Sequence, residues 1–227
     1  MDHPIPVVAV DGPSGVGKGT LGRALASRLG WHFLDSGALY RLTALASIKR
    51  DLDLEDSAGI ASLAENLAVR FNGSLADQRI WLDDEEVSLT IRSETCGNIA
   101  SKIAVMPRVR RALLQRQRDF RQPPGLVADG RDMGSVVFPD ALVKIFLTAS
   151  PEACAIRRYN QLKEKGIDVS LADLTREIAE RNERDARRLI APLEPTVDAE
   201  VLDTTGLNIE QVRERALLIV SKRLHLN

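Results

Sequence analysis

Residues 12–20 read Gly12-Pro13-Ser14-Gly15-Val16-Gly17-Lys18-Gly19-Thr20, and this stretch decides the fold. It follows an apolar run, Ile5 to Val10, and precedes a segment of helical character that extends to Leu29. A strand, a glycine-rich loop and a helix in this order are the context of a Walker-type phosphate-binding loop. Backbone N–H groups of such a loop surround phosphate oxygens, and its lysine reaches the outer phosphates. The stretch therefore predicts a nucleoside polyphosphate site with Lys18 as its catalytic cation, placed at a loop surface.

One position departs from the general pattern of this loop. A Ser or Thr that binds the metal ion normally follows the lysine, whereas this chain has Gly19 there and a hydroxyl only at Thr20. The sequence therefore assigns no residue directly to a metal. An ordinary glycine turn before a helix is the alternative interpretation of the stretch.

The overall composition excludes several classes of protein. The 31 basic and 32 acidic residues of the 227-residue chain nearly cancel, which argues against nonspecific binding of nucleic acid. Cys96 and Cys154 stand apart, and His3, His32 and His225 are scattered, so neither a zinc site nor a redox pair is expected. The sequence shows no secretion signal and no apolar run long enough to span a membrane. We expect a cytoplasmic protein, and a monomer, because no sustained apolar heptads occur.

Short apolar segments alternate with longer helical ones along the chain, which predicts a parallel sheet with helices on both faces. The predicted strands are Ile5–Val10, His32–Leu34, Leu126–Ala128, Leu142–Leu147 and Glu200–Leu202. The predicted helices are Lys18–Leu29, Ala38–Lys49, Arg92–Ala104, Arg108–Arg121, Pro151–Lys165, Leu171–Leu189 and Ile209–Leu224. Three short strand-like pieces within Leu67–Ser88 predict a small antiparallel insert added to the main sheet. The helix pair joined through Gly166 predicts a mobile lid.

A second polar cluster follows the predicted strand at Leu126. Asp129 ends this strand, and Arg131 and Asp132 come directly after it. A carboxylate at such a strand end supports magnesium in P-loop enzymes, here through water, and an arginine beside it grips a phosphate. A routine aspartate at the turn after a strand is the alternative.

The densest positive charge lies in residues 181–188. Arg181, Asp185 and Arg188 fall on one face at helical spacing. A solvated, salt-bridged helix face is the usual explanation of such a run. In a lid, however, arginines would neutralise the charges that meet during phosphoryl transfer between two nucleotides. A phosphate acceptor is already anionic, so this chemistry needs cations and no strong general base.

A third cluster, Asp35 to Arg41, follows the second predicted strand. Ser36 and Arg41 lie near the start of a helix, where they would hold a phosphate or a sugar. A plain helix cap is the alternative role for Ser36. A further set of basic residues is expected to face solvent mostly, with one or two members turned to a ligand: Arg108, Arg110, Arg111, Arg116, Arg118 and Arg121.

With these residues assembled, the chain resembles the bacterial cytidylate kinases, P-loop nucleoside monophosphate kinases that phosphorylate CMP and dCMP. The resemblance covers essentially the whole chain. It rests on GPSGVGKGT (12–20), LDSGALYR (34–41), MPRVRRALLQRQR (106–118), LVADGRDMGSVVFPDA (126–141), KIFLTAS (144–150) and RDARRLIAPL (184–193). The Lys18-Gly19-Thr20 order is itself usual in monophosphate kinases.

The resemblance implies a fold and a domain organisation. The fold is α/β, a P-loop NTPase-type parallel sheet flanked by helices, with a lid and a small antiparallel monophosphate-binding insert. Residues 1–227 would form a single kinase domain. Its core would comprise roughly residues 1–60, 105–150 and 195–227, its insert residues 61–104 and its lid residues 151–194.

The resemblance also implies roles for individual residues. Gly12 to Thr20 would hold the phosphates of ATP, which binds with Mg²⁺. The CMP phosphate would meet Arg41, Arg131 and Arg181, of which Arg131 and Arg181 also act on the transferring group. The sugar would contact Ser36 and Asp185, and the cytosine ring would contact Ser101, Arg110, Asp132 and Arg188. Asp129 would support the magnesium shell, and Arg157 and Arg158 would clamp the ATP side of the lid.

Three alternatives to this function remain open at the level of sequence. A GTP-dependent switch would need an Asn-Lys-x-Asp motif, which the chain lacks. A nucleic-acid ATPase would need a basic stripe or stacking aromatic residues, which the composition does not favour. A kinase for another monophosphate or a small metabolite is the runner-up. The partners we expect are therefore ATP, CMP and dCMP, with neither nucleic acid nor membrane.

Overall fold

A five-stranded parallel sheet forms the centre of the protein. The computed structural model describes residues 4–75, 78–164, 166 and 168–224, so His3 and His225 lie outside the described residues. The sheet has the strand order β2-β6-β1-β7-β8. Its strands are β1 (Val7–Asp11), β2 (His32–Asp35), β6 (Leu126–Gly130), β7 (Val143–Thr148) and β8 (Glu200–Asp203). The parallel α/β fold class expected from the sequence is confirmed.

Alternate residues of the central strand pack on opposite faces of the sheet. Val7 and Ala9 join one apolar core, and Val8 and Val10 join the other. Because the strand is covered on both faces, it consists of a continuous apolar run rather than an alternating one. The run ends at Asp11, which is buried like the residues before it.

Eight α-helices cover the sheet within the described residues. They are α1 (Lys18–Leu29), α2 (Ser36–Lys49), α3 (Ser57–Glu65), α4 (Glu94–Ile103), α5 (Pro107–Arg118), α6 (Pro151–Lys163), α7 (Leu171–Ala186) and α8 (Ile209–Leu224). One core lies beneath α2 to α5 and the other beneath α1, α6, α7 and α8. None of these helices is long and apolar enough to cross a bilayer.

Helix boundaries differ from the predicted ones mainly at helix ends. The helix that begins at Leu171 ends at Ala186 rather than at the predicted Leu189, so Arg188 lies beyond its end. The end of the predicted helix Pro151–Lys165 falls partly on Lys165, outside the described residues. Helix α3 was missed, because Ser57–Glu65 is short and rich in small residues that carry a weak periodic signal.

The predicted small antiparallel insert is confirmed, and it forms a sheet separate from the main one. It consists of β3 (Val69–Asn72), β4 (Arg79–Leu82) and β5 (Glu85–Glu86) in the order β3-β4-β5. Ile80 and Leu82 of β4 are buried and pack into the core beneath α2 and α3. Side-chain packing therefore joins the insert to the body of the protein.

The carboxyl ends of the parallel strands bring the polar clusters together. Asp11 of β1 pairs in register with Gly130 of β6, and Asp35 of β2 pairs with Asp129. Parallel strands end at the same edge of a sheet, where ligands of α/β proteins bind. Over this edge α6 packs on α7, and α7 also contacts α4.

Candidate active site

The loop after β1 has the backbone conformation that a phosphate-binding loop requires. Gly12 has φ 148°, and a Cβ there would lie 2.4 Å from the Leu147 carbonyl oxygen of the neighbouring strand. Gly17, directly before α1, has φ 97° in the left-handed region. Only glycine adopts both conformations without strain. The loop therefore turns tightly and leaves the N-terminus of α1 open toward a ligand.

The structure gives a physical reason for glycine after the lysine. A Cβ at Gly19 would lie 3.1 Å from Arg23 Nη1 and 3.3 Å from Asp129 Oδ2. The Arg23 guanidinium donates to the Gly19 carbonyl at 2.9 Å. A larger residue at 19 would push against both groups, so the absence of a Ser or Thr reflects close packing against β6.

Lys18 is buried, which corrects the expectation that it lies at a loop surface. It is 7% exposed, and its Nζ donates to the Pro13 carbonyl at 2.8 Å. Burial and the Arg131 guanidinium lower the pKa of Lys18 to about 8, against the opposing pull of the Asp129 and Asp11 carboxylates. The amine is thus held inside the curve of the loop, at the place where phosphate oxygens would lie.

Asp129 is a buried carboxylate that fits a water-bridged magnesium ion. Within the described residues its carboxylate has neither a hydrogen bond nor an ion pair, and the residue is 7% exposed. Burial raises the pKa of Asp129 to about 7, although the Lys18 ammonium opposes the rise. No group of three or more candidate ligands occurs among the described residues. Magnesium usually takes one or two carboxylates together with water and substrate phosphates, and the residues present match that pattern.

A cleft opens between α2, α4, α7 and the turn after β6. Nine of the ten predicted substrate residues line it, and Asp129 lies outside its lining. These nine are Ser36, Arg41, Ser101, Arg110, Arg131, Asp132, Arg181, Asp185 and Arg188. Five arginines against two aspartates make the lining strongly positive. The structure brings the predicted residues together, and their individual contacts with substrate stay predictions.

Two guanidinium groups converge at one end of the cleft. Arg41 Nη1 donates to the carbonyls of Ile91 at 2.7 Å and Ser93 at 3.1 Å. A Cβ at Gly97 would lie 2.8 Å from Arg41 Nη2 and 3.0 Å from Arg181 Nη2, so glycine there makes room for both groups. Burial and the nearby Arg181 lower the pKa of Arg41 to about 10. Like charges held this closely favour an anion between them.

Arg131 connects the phosphate-binding loop to α7. Its Nε lies 2.8 Å from Asp185 Oδ2, and its Nη2 donates to Ser14 Oγ at 3.0 Å. Asp185 also faces Arg188 at 3.4 Å and Ser101 Oγ at 3.4 Å. Burial alone would raise the pKa of Asp185, but Arg131 and Arg188 hold it below its usual value. Arg188 reaches this group from the turn after α7, so the expectation that it belongs to the helix face was wrong.

Asp132 forms a buried ion pair with Arg110 rather than with its neighbour Arg131. The two side chains are 5% and 9% exposed. Arg110 further donates to the Ala104 carbonyl at 3.3 Å and lies 3.5 Å from the Tyr40 hydroxyl. The pair lines the floor of the cleft, where the Asp132 carboxylate is a hydrogen-bond acceptor and the Arg110 guanidinium is a donor.

Ser36 is the first residue of α2, and the cap of that helix is Asp35. The Asp35 carboxylate accepts from the Ala38 N–H at 3.0 Å, which excludes the alternative that Ser36 caps the helix. Instead, the Gln117 side-chain amide donates to Ser36 Oγ at 2.7 Å. The Ser36 hydroxyl proton is then left to donate into the cleft.

The basic residues of α5 and of the segment directly after it are mostly exposed or half-buried, as expected, although several also have structural partners. Arg116 donates to the Leu67 carbonyl at 2.8 Å, and Arg118 to the Val137 carbonyl at 3.1 Å. Arg121 donates to the Ile5 carbonyl at 2.8 Å and pairs with an aspartate. Arg108 and Arg111 are exposed. Only Arg110 of this set lines the cleft.

The two lid arginines at 157 and 158 have protein partners as well. Arg157 donates to Thr204 Oγ1 at 2.9 Å, and Arg158 pairs with Glu94 at 2.6 Å. Their contact with ATP stays a prediction.

Three polar groups at the site, of which Asp11 and Gln117 are buried and Glu94 is half-buried, were not predicted from the sequence. Asp11 accepts two backbone hydrogen bonds below the cleft, Glu94 pairs with Arg158 and Arg181, and Gln117 holds Ser36. A charged residue that ends an apolar strand directly before Gly12 was a usable signal for Asp11. Glu94 and Gln117 lie on amphipathic helices, where no local pattern separates them from surface residues.

Comparison with known proteins agrees with this geometry. The cytidylate kinase family model matches residues 8–222. A cytidylate kinase of Methylococcus capsulatus is 57% identical over 220 residues, covering 97% of this chain and 99% of that protein. Those of Aeromonas hydrophila and Klebsiella pneumoniae are each 54% identical over 224 residues, covering 99% of this chain and 97% and 99% of those proteins. The chain therefore belongs to the cytidylate kinase family.

Proposed function

We propose that the protein transfers the γ-phosphoryl group of ATP to CMP and dCMP. The observation that carries the proposal is the cleft lined by five arginines, which Arg131 joins directly to Ser14 of the phosphate-binding loop. A donor phosphate on that loop and an acceptor phosphate in the cleft would lie on either side of one guanidinium. Membership of the cytidylate kinase family supports cytidine monophosphates as the acceptors.

Electrostatic stabilisation and positioning account for the chemistry. The acceptor phosphate is an anion and needs no base, whereas the transition state spreads negative charge over the transferring group. Lys18, Arg131 and Arg181 would stabilise that charge from a buried setting, where such contacts are stronger than in water. Magnesium bound with ATP would neutralise further charge, with Asp129 holding its water shell.

The nucleoside would bind along the rest of the cleft. The Arg110–Asp132 pair would read the cytosine ring together with Ser101 and Arg188. Asp132 would accept from the cytosine amino group and repel the carbonyl that uracil carries at the same position. Ser36 and Asp185 would contact the sugar.

We propose the domain division given above, with residues 151–194 as a lid that closes over both nucleotides. Helices α6 and α7 pack on each other, and Cys154 of α6 and Ile178 of α7 join the same apolar core as Val16 of the phosphate-binding loop. Further contacts of these helices to α4 and to the loop run through polar side chains such as Glu94 and Asn182. Polar contacts of this kind exchange for substrate contacts more easily than an apolar interface does. Closure would exclude water, so that phosphoryl transfer is favoured over hydrolysis.

The setting and assembly are part of the proposal. Cys96 and Cys154 are both unpaired and buried, which is compatible with a reducing compartment. We propose a cytoplasmic enzyme that acts as a monomer and binds no nucleic acid.

A coupled assay of ADP formation tests the proposal. The purified protein is given ATP and Mg²⁺ with CMP, dCMP, UMP, AMP, dTMP or shikimate in turn. We expect CMP and dCMP to give the highest kcat/KM, no activity in excess EDTA, and turnover lowered by about 10²-fold or more in a Lys18→Met variant. A preference for another acceptor would support the runner-up kinase function. Nucleotide hydrolysis without any acceptor would instead support a switch or a nucleic-acid ATPase.

A further inference from the structure

The last residue of β1 is a carboxylate buried in the middle of the sheet. Asp11 is 8% exposed, and β1 is paired in register with Gly130 of β6 on one side and Phe146 of β7 on the other. No ion pair to it occurs within the described residues. Burying an unpaired carboxylate costs free energy unless hydrogen bonds compensate. Its presence between two apolar strands therefore calls for a specific partner.

That partner is the backbone that follows Asp132. Asp11 Oδ1 accepts from the Met133 N–H and Oδ2 from the Gly134 N–H, each at 2.8 Å. Both carboxylate oxygens are thus used on two consecutive amides of one short turn, Met133–Val137. Charge-assisted hydrogen bonds of this kind are short and directional. They fix the orientation of the peptide that immediately follows Asp132.

The turn that donates these hydrogen bonds also packs against a second side chain, that of Lys144. A Cβ at Gly134 would lie 3.1 Å from Lys144 Cδ and 3.5 Å from Asp11 Oδ2. The turn is therefore clamped between the Asp11 carboxylate and the Lys144 side chain. Any shift of the turn would move Asp132 relative to Arg110, its buried partner.

Asp11 is also covalently joined to the phosphate-binding loop, because Gly12 follows it directly. One residue thus links the loop proposed to hold ATP with the turn proposed to read the base. An apolar side chain at position 11 would fill the same space, but it would leave two buried N–H groups without acceptors.

We propose that Asp11 is a positioning residue for base selection, which holds Asp132 in register with the phosphate-binding loop. The inference rests on the proposed function of the cleft. It adds a residue that touches neither substrate and that acts through the direction of the Asp132 side chain.

Replacement of Asp11 by asparagine tests the inference. Asparagine keeps the shape, but its amide group would face one of the two N–H groups as a second donor. We expect the ratio of kcat/KM for CMP over UMP to fall about tenfold, the range of one good base-edge hydrogen bond, while KM for ATP changes little. In an Asp132→Asn background the same replacement should not lower the ratio further, because coupled residues are not additive.

Asn182→Ala is the matched control. The Asn182 side chain accepts from the Ser14 N–H at 2.8 Å, so it supports the same loop without contacting the Asp132 turn. We expect this variant to alter KM for ATP and to leave the ratio of kcat/KM for CMP over UMP unchanged. Thermal unfolding of every variant separates loss of stability from loss of selectivity.

Several results would overturn the inference. A folded Asp11→Asn protein whose activity falls equally on CMP and UMP would show that Asp11 only stabilises the sheet. If Asp11→Asn does not fold, the smaller Asp11→Ser variant takes its place, and failure of both to fold also assigns Asp11 a purely structural role. A wild-type protein without preference for CMP over UMP would refute the proposed function itself. Measurement of the wild type therefore separates failure of the proposed function from failure of the inference about Asp11.

Discussion

Replacing Asp132 by asparagine tests how the cleft selects its base. Asp132 is 3% exposed, and its carboxylate pairs with Arg110 at the cleft floor. Asparagine has nearly the same shape but no charge, and its amide presents a donor as well as an acceptor. It would no longer repel the uracil carbonyl. We therefore expect kcat/KM for CMP to fall and kcat/KM for UMP to fall less or to rise.

The magnitude follows from two separate contributions. Base-edge hydrogen bonds discriminate by about 1–3 kcal/mol, which corresponds to a roughly 5- to 150-fold change in the CMP over UMP ratio. Removing one member of a buried ion pair destabilises a fold by about 3–5 kcal/mol. Asparagine retains one acceptor for Arg110, so the fall in melting temperature should lie at or below the roughly 6–20 °C that this range implies.

Competition kinetics with CMP and UMP in one reaction measure the ratio directly, and the KM for ATP should change little. Asp185→Asn is the matched control, because Asp185 is a buried carboxylate of the same cleft that also pairs with arginines. Since Asp185 is proposed to face the sugar, its loss should lower activity on both nucleotides by a similar factor. An equal loss on both nucleotides in Asp132→Asn would show that Asp132 only holds Arg110 and does not read the base.

Three further predictions follow from the site. Lys18→Met should lower turnover by about 10²-fold or more without lowering the melting temperature, and near-normal turnover would contradict the role of the loop. Arg181→Met should reduce kcat more than it raises KM, because a lid arginine contacts the phosphates fully only on closure; a raised KM alone would make it a binding group. Burial raises the pKa of Asp129 from 3.8 to about 7, so the folded state loses stability as pH rises between these values. In metal-free buffer Asp129→Asn should therefore melt higher than the wild type at about pH 8, with a smaller difference at about pH 5; equal differences would contradict the burial argument.

The fold was predictable because its signals are local. The glycine loop of residues 12–20 and the apolar runs of the buried strands each extend over a few consecutive residues. Helices α1 and α8 begin and end where the periodicity placed them. Helix α3 escaped prediction because small residues leave a weak periodic signal. The strand patterns predicted the antiparallel insert, but only the structure shows that it forms a sheet of its own, because such patterns do not specify which sheet a strand joins.

The sequence predicted which residues belong to the site, but it did not predict which of them contact each other. The sequence placed Arg131, Asp132 and Asp185 at the site, but it did not specify the ion-pair partner of either carboxylate. In the structure Arg131 pairs with Asp185 and Asp132 with Arg110. Which carboxylate meets which arginine depends on the packing of α5 and α7 over the strand ends, and that packing is not encoded in spacing along the chain.

By itself, then, the sequence determined the parallel α/β class, the phosphate-binding loop and the identity of most groups in the cleft. Only the tertiary structure decided that Lys18 is buried, that Gln117 holds Ser36, and that Asp11 accepts from Met133 and Gly134. The physical reason is the range of the interactions. Backbone conformation and apolar periodicity depend on neighbours in sequence, whereas burial and the hydrogen-bond partners of buried groups depend on segments up to 188 residues apart.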